Sequence, residues 1–187
     1  MCFLAPTHSI DVGQEEAFVE HVKDVDAIAH TASPFHMRAI EPEELIKPAV
    51  EGTLSVLKAA AAHGRGVKRV IVLSSTAAVV RDKPNGVLDE SSWNEDAIAE
   101  VNEKGREATP GGKYRASKTL AERAAWEWYG ARKAELSWDL IALNPPFVFG
   151  PTLHEIPTLD QLNTSSRLFY DNVVKSTLDN EALVTQG

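Results

Sequence analysis

Short apolar runs alternate along the chain with longer amphipathic segments. Three largely apolar runs, each stopped by proline or hydroxyl residues, predict buried strands at 26–32, 69–73 and 138–143. Leucine, alanine and valine recur at helical spacing between them, which predicts long helices at 43–63 and 113–133. The alternation of strand and helix predicts an α/β fold in which a Rossmann-like parallel sheet has flanking helices.

The remaining segments show weaker patterns. Apolar spacing over 15–22, with Asp11 as a possible cap, predicts a short helix. Residues 81–110 hold a Pro84-Asn85-Gly86 turn and no sustained period, so we expect a long excursion with one short helix. The alternation of strand and helix patterns ends after residue 150. The pattern over 159–174 predicts a helix in a separate region.

Ligands of parallel sheets bind outside the carboxyl ends of the strands. Polar or proline-containing segments follow all three predicted strands, at Thr31 to Pro34, Ser74 to Thr76 and Asn144 to Val148. We therefore expect these segments to converge on one ligand site.

Composition narrows the class of protein. The chain has 187 residues, 43 % of them hydrophobic, and a net charge of −8, which disfavours nucleic acid as a partner. Cys2 is the only cysteine, so neither an intramolecular disulfide nor a thiolate metal cluster can form. The six histidines include no pair at zinc-binding helical spacing, so no metal site is expected. The lack of a long apolar run or a signal peptide predicts a cytoplasmic protein without membrane contact.

Tyr114 and Lys118 are the strongest chemical signal. Side chains four residues apart lie on the same face of a helix, so the phenol and the ammonium would share one pocket. A nearby cation lowers the pKa of a tyrosine toward the range of a general acid. The same spacing also occurs on ordinary solvated helix faces, which is the alternative interpretation.

Several longer motifs make the comparison with a known family more specific. The run from Val67 to Thr76 and the run from Tyr114 to Glu122 resemble the extended short-chain dehydrogenases/reductases of the NAD-dependent epimerase/dehydratase superfamily. Within that superfamily they are similar to the dihydroflavonol reductase branch and to the fungal ketone and aldehyde reductases. Further segments resemble that branch in order and spacing: 30–35, 48–53, 89–93, 124–126 and 149–151. The resemblance covers roughly residues 14–151.

The resemblance implies reduction of a ketone or aldehyde to an alcohol, with NADP(H) favoured over NAD(H). It assigns Tyr114 as the proton donor and Lys118 as the residue that binds the nicotinamide ribose and lowers the tyrosine pKa. It assigns Ser75 as the hydroxyl that orients the carbonyl, with Thr76 as the alternative.

The resemblance also implies the surroundings of the site. Cofactor contacts are expected from Thr31, Ala32, Ser33, Ser74, Tyr114, Lys118, Pro145 and Val148. Contacts with a small-molecule carbonyl substrate are expected from Phe35, Thr76 and Phe147, although both phenylalanines could equally pack in the core.

One part of the family pattern is missing. The glycine-rich turn that binds the cofactor pyrophosphate does not occur, since Gly64-Arg65-Gly66 and Gly111-Gly112-Lys113 lack the required context and are interpreted as turns. We therefore expect the first βαβα unit to be absent. Residues 1–150 would form a partial dinucleotide-binding domain, and 151–187 the start of a substrate-binding region. The alternatives to a carbonyl reductase are a nucleotide-sugar epimerase or dehydratase and a non-catalytic remnant of the fold.

Overall fold

A computed structural model describes residues 13, 15–81, 87–150 and 155–174. The predictions for 1–12, for the turn at 84–86 and for 175–187 fall outside the described residues. The chain divides into two compact units, Met1–Pro145 and Pro146–Gly187, which are described separately.

The first unit contains a parallel sheet of three strands: β1 (Ala27–His30), β2 (Arg69–Leu73) and β3 (Asp139–Leu143). The strands lie in the order β1-β2-β3, with Ile28 opposite Val70 and Val70 opposite Leu140. The predicted parallel sheet is confirmed, and each strand lies within its predicted range.

Helix α1 (Glu43–His63) occupies its predicted range. Its start is stabilised by Glu44, whose carboxylate accepts hydrogen bonds from the backbone N–H groups of Ile40 and Glu41 at 3.2 and 2.9 Å. Gly64 ends the helix, and a Cβ there would lie 2.7 Å from both the Ala60 carbonyl oxygen and the Val67 side chain. The predicted turn at 64–66 follows, closed by a 3.0 Å bond from Val67 N–H to the Gly64 carbonyl.

Helix α2 (Glu95–Lys104) is the single short helix expected in the excursion, and Asn94 caps it through a 3.1 Å bond from Ala97 N–H. Helix α3 (Pro110–Arg132) begins three residues before its predicted start. The prediction of a turn at 111–113 is therefore wrong. Thr109 accepts a 2.9 Å bond from Gly112 N–H and Pro110 occupies the first helical position, so the glycines form the first turn of the helix.

The main core lies between one face of the sheet and the helices α1 and α3. Its buried members are Leu57, Ala60, Val67, Val70, Val72, Ala125, Tyr129, Trp138 and Leu140. Val70 and Val72 alternate with less buried neighbours along β2, as expected of a strand with one face packed on helices. The helix predicted at 15–22 is shorter than expected: only Glu15–Phe18 are helical, and they form a 3₁₀ turn.

The second unit contains Thr164–Phe169 as helix α4, between a 3₁₀ turn at Leu159–Gln161 and a π-helical turn at Tyr170–Val174. The continuous helix predicted at 159–174 is interrupted because Asn163 caps α4, accepting a 2.8 Å bond from Ser166 N–H. Among the described residues of both units, no helix combines the length and apolar character needed to cross a membrane.

Candidate active site

The carboxyl ends of β2 and β3 remain paired beyond the sheet. Ser74 N–H donates to the Leu143 carbonyl at 2.8 Å, and Thr76 N–H donates to the Pro145 carbonyl at 3.1 Å. Ser75 lies between these bonds, and its hydroxyl oxygen caps the 3₁₀ turn Thr76–Ala78 by accepting a 3.1 Å bond from Ala77 N–H. These backbone bonds fix Ser75 at the end of the sheet.

Helix α3 brings Tyr114 to the same place. The Tyr114 phenol lies close to the Ser75 hydroxyl, which acts to lower the pKa of the phenol. The Thr119 hydroxyl, buried on the same helix, donates to the Arg115 carbonyl at 2.8 Å and also lies 3.4 Å from the Ala78 carbonyl, in the turn that Ser75 caps. The structure thus brings two of the three predicted catalytic residues together.

Lys118 lies one helical turn beyond Tyr114, as the spacing predicts. Its buried Nζ is 5.9 Å from the centre of the Tyr114 ring and donates to the Leu73 carbonyl at a long 3.5 Å. Burial lowers the pKa of Lys118, and the negative charge of Glu122 opposes this effect.

The expected lowering of the Tyr114 pKa is not found. Burial raises the pKa of Tyr114, and the hydrogen bond from Ser75 opposes the rise only in part. The Lys118 ammonium sits over the ring face and points toward the Leu73 carbonyl, which explains why it does not dominate the titration of the phenol.

A narrow cleft opens beside Lys118. Its walls include His30, Ala32, Ser33, Ser74, Lys118 and Glu122. The Ser74 hydroxyl is buried and has no hydrogen-bond partner among the described residues. Burial, followed by the charge of Lys118, lowers the pKa of His30 to about 4, so His30 is neutral at pH 7.

The other predicted residues are distributed as follows. Phe35 packs against Tyr114, with ring centroids 4.8 Å apart and planes inclined by 52°. Thr31 is exposed at the end of β1, and Thr76 and Pro145 meet through the backbone bond described above. Phe147 and Val148 belong to the second unit, so their proposed contacts stay predictions.

Lys113 is a buried residue of the site region that the sequence interpretation missed. Its Nζ donates to the carbonyls of Ala39, Ile40 and Arg106 at 3.3, 2.7 and 2.7 Å. Lys113 therefore ties the segment that follows Phe35 to the start of α3. The apolar residue Ala116, three positions later on the same helix face, was the available sequence signal that position 113 faces inward, and the structure buries it.

Asn144 lies in a segment that was expected to reach the site, but no role was predicted for it, and Glu122 was not predicted as a site residue. The Asn144 side-chain amide donates to the Ser75 carbonyl at 3.0 Å and to the Glu122 carboxylate at 2.7 Å. Both acceptors lie far from Asn144 in the sequence, so no local pattern indicates these contacts.

The chain is similar to known proteins in sequence and in fold. The family model of the 3-beta hydroxysteroid dehydrogenase/isomerase family matches residues 3–184. A ketoreductase of Aspergillus niger, azaE, is 34 % identical over 175 residues, covering 88 % of this chain and 48 % of the relative. An anthocyanidin reductase of Vitis vinifera is 37 % identical over 147 residues, covering 76 % of this chain and 40 % of the relative.

The fold has solved counterparts. The crystal structure of yeast methylglyoxal/isovaleraldehyde reductase Gre2 complexed with NADPH matches with a TM-score of 0.71 and 31 % identity. That match covers 86 % of this chain and 48 % of the Gre2 chain, so this chain spans about half the length of the relatives it matches. The resemblance to extended short-chain reductases and the Rossmann-like fold are confirmed. The chain belongs to the 3-beta hydroxysteroid dehydrogenase/isomerase family.

Proposed function

We propose that this chain carries the carbonyl-reducing end of an NADPH-dependent ketone or aldehyde reductase. The observation that carries the proposal is the placement of the Tyr114 phenol close to both Ser75 and Lys118 at the carboxyl ends of parallel strands. Its relatives include a ketoreductase and a reductase whose structure was solved with NADPH, which supports this reaction class and this cofactor.

The residues present fit the ribose end of a nicotinamide cofactor. The Ser74 hydroxyl is buried beside the cleft and has no hydrogen-bond partner within the described ranges of the chain. Lys118 makes one long hydrogen bond, to the Leu73 carbonyl, so both groups can form further hydrogen bonds with ribose hydroxyls. NADPH, when bound, would supply the hydride that attacks the carbonyl carbon. The sequence lacks the family's glycine-rich turn, so the proposal extends only to the ribose and nicotinamide end of the cofactor.

Tyr114 would supply the proton. As the carbonyl carbon gains hydride, its oxygen gains negative charge and takes the phenolic proton, which leaves an alcohol and a tyrosinate. Ser75 would donate a hydrogen bond to the same oxygen and hold the carbonyl toward Tyr114. The raised pKa of Tyr114 keeps the phenol protonated at neutral pH, which is the state that a proton donor requires.

Phe35 would form one wall of the substrate pocket. Its ring contacts the Tyr114 ring and is 39 % exposed, so an apolar face remains beside the proton donor. A carbonyl compound with an apolar substituent fits this environment better than a highly charged one.

The proposal is tested by nucleotide binding and by turnover. Tryptophan fluorescence of the purified chain is followed during titration with NADPH and with NADH, and carbonyl-dependent loss of NADPH is then measured with methylglyoxal and a panel of ketones. We expect saturable NADPH binding, and Tyr114→Phe should lower kcat at least about 10²-fold while binding persists.

Tyr129→Phe is the matched control, because Tyr129 lies on the same helix α3 but packs in the hydrophobic core of the first unit. A folded chain that binds neither nucleotide would contradict the proposal and favour a non-catalytic member of the family. Retained turnover in Tyr114→Phe would contradict the assigned role of Tyr114.

A further inference from the structure

Asn144 links three elements of the candidate site through one side chain. It follows β3 directly, and its Nδ2 donates to the Ser75 carbonyl after β2 and to the Glu122 carboxylate on α3, at 3.0 and 2.7 Å. The helix that carries Tyr114 and Lys118 is therefore connected to the strand end that carries Ser75 by a route separate from the catalytic groups themselves.

Glu122 is an unusual partner for this position because it is a carboxylate with only 6 % of its surface exposed. A buried charge is costly unless hydrogen bonds and an opposite charge compensate for it. Asn144 supplies a hydrogen bond. Lys118, one helical turn earlier and lining the same narrow cleft, supplies the opposite charge.

We propose that Glu122 is a positioning residue for the Ser75–Tyr114–Lys118 site. Its carboxylate holds Asn144, which in turn holds the Ser75 backbone, and its charge stabilises the Lys118 ammonium, one helical turn away in the same cleft. The catalytic meaning of this arrangement rests on the proposed function, whereas the coupling between Glu122 and Lys118 does not.

The cleft contains few groups that could replace Glu122. Its titratable members are His30 from β1 and Lys118 and Glu122 from α3, while α1 contributes Thr53 and the residue after β2 is Ser74, neither of which titrates. His30 is neutral at pH 7, as its lowered pKa requires, so Glu122 is the only anion among these lining residues. Removing its charge should leave the burial of Lys118 uncompensated.

The decisive measurement is the pKa of Lys118 in the full chain without nucleotide. The ¹³Cε and ¹⁵Nζ resonances of labelled lysine are followed against pH, and the spectrum of Lys118→Met identifies the resonance. Glu122→Gln keeps the shape of the side chain and an acceptor for Asn144 but removes the charge. We expect it to lower the pKa of Lys118 by about 1 or more.

Two variants complete the set. Glu122→Asp keeps the negative charge and should recover part of the loss, which a purely structural role for Glu122 would not predict. Glu127→Gln makes the same change at an exposed position of α3 and should leave the Lys118 pKa unchanged. An unchanged Lys118 pKa in Glu122→Gln would overturn the proposal.

Stability provides a second measurement if Glu122→Gln folds poorly. Urea unfolding of Lys118→Met, Glu122→Gln and the double variant forms a double-mutant cycle. We expect the double variant to be more stable than the sum of the single losses indicates. Strictly additive losses, or a Glu122→Gln variant that stays unfolded in the Lys118→Met background, would overturn the proposal.

Turnover separates this inference from the proposed function. If the wild type reduces carbonyls, Glu122→Gln should shift the pH profile of kcat/KM, and Glu127→Gln should not. If the wild type binds no nucleotide, the proposed function fails, but the coupling of Lys118 to Glu122 is still decided by the resonance titration and the cycle.

Discussion

The Tyr114 phenol on helix α3 lies close to the Ser75 hydroxyl at the end of strand β2, and Ser75 acts to lower the pKa of the phenol. Ser75 is itself held by backbone bonds on either side and by its own cap of the following turn. The group proposed to donate the proton is therefore next to the group proposed to orient the carbonyl.

Ser75→Ala should raise the pKa of Tyr114 further, because the hydrogen bond that opposes the effect of burial is removed. The change is measured by absorbance of tyrosinate near neutral to alkaline pH, after subtraction of the matching Tyr114→Phe spectra. If the chain is active, kcat/KM should also fall by roughly 10- to 10³-fold. Ser137→Ala, at an exposed position, is the control, and an unshifted Tyr114 titration in Ser75→Ala would contradict the prediction.

His30 should make the fold sensitive to acid. Its folded-state pKa is lowered from 6.5 to about 4, so protonation favours the unfolded state, and stability present above pH 6.5 is lost as the pH falls toward 4. The loss attributable to this group is about 3 kcal/mol at most. Urea unfolding at a series of pH values should show a shallower acid loss in His30→Gln than in the wild type. His63→Gln, at an exposed position, should keep the wild-type slope.

Lys113→Met should destabilise the first unit, because one buried and two partly buried carbonyl acceptors lose their donor while the apolar stem is kept. We expect a loss of about 2–4 kcal/mol in the free energy of unfolding. Lys58→Met changes an exposed lysine of α1 and should cost less than about 0.5 kcal/mol. Equal stability of the two variants in urea would show that the Lys113 contacts contribute nothing net.

Two glycines should respond in opposite directions to alanine. At Gly64 a Cβ would lie 2.7 Å from both the Ala60 carbonyl and Val67, so Gly64→Ala should destabilise the fold by about 1–3 kcal/mol. At Gly130, inside α3, a Cβ would meet nothing within 4 Å, so Gly130→Ala should stabilise by about 0.5–1 kcal/mol. Thermal unfolding monitored by circular dichroism distinguishes the two, and a stabilising Gly64→Ala would show that the helix end can relax.

Local sequence patterns determined the main helices and strands and the part of the site that lies on helix α3. The apolar run at 69–73 and the alanine-rich segment at 43–63 specify their secondary structure from neighbouring residues alone, and both ranges agree with the structure. The spacing of Tyr114 and Lys118 likewise places both on one helix face, because helical geometry is local. The error at Gly111 and Gly112 had a local cause too, since the cap at Thr109 outweighs the low helix propensity of glycine.

Only the tertiary structure decided what surrounds these groups. The direction of the Tyr114 pKa depends on burial, which no spacing reveals, and the contacts of Lys113 and Asn144 join residues 7 to 74 positions apart in the sequence. The sequence by itself therefore determined which catalytic side chains share a helix face, because that relation is periodic. The tertiary structure determined which charged groups and carbonyls surround these side chains. Those groups belong to other helices and strands, whose positions depend on the packing of the whole unit.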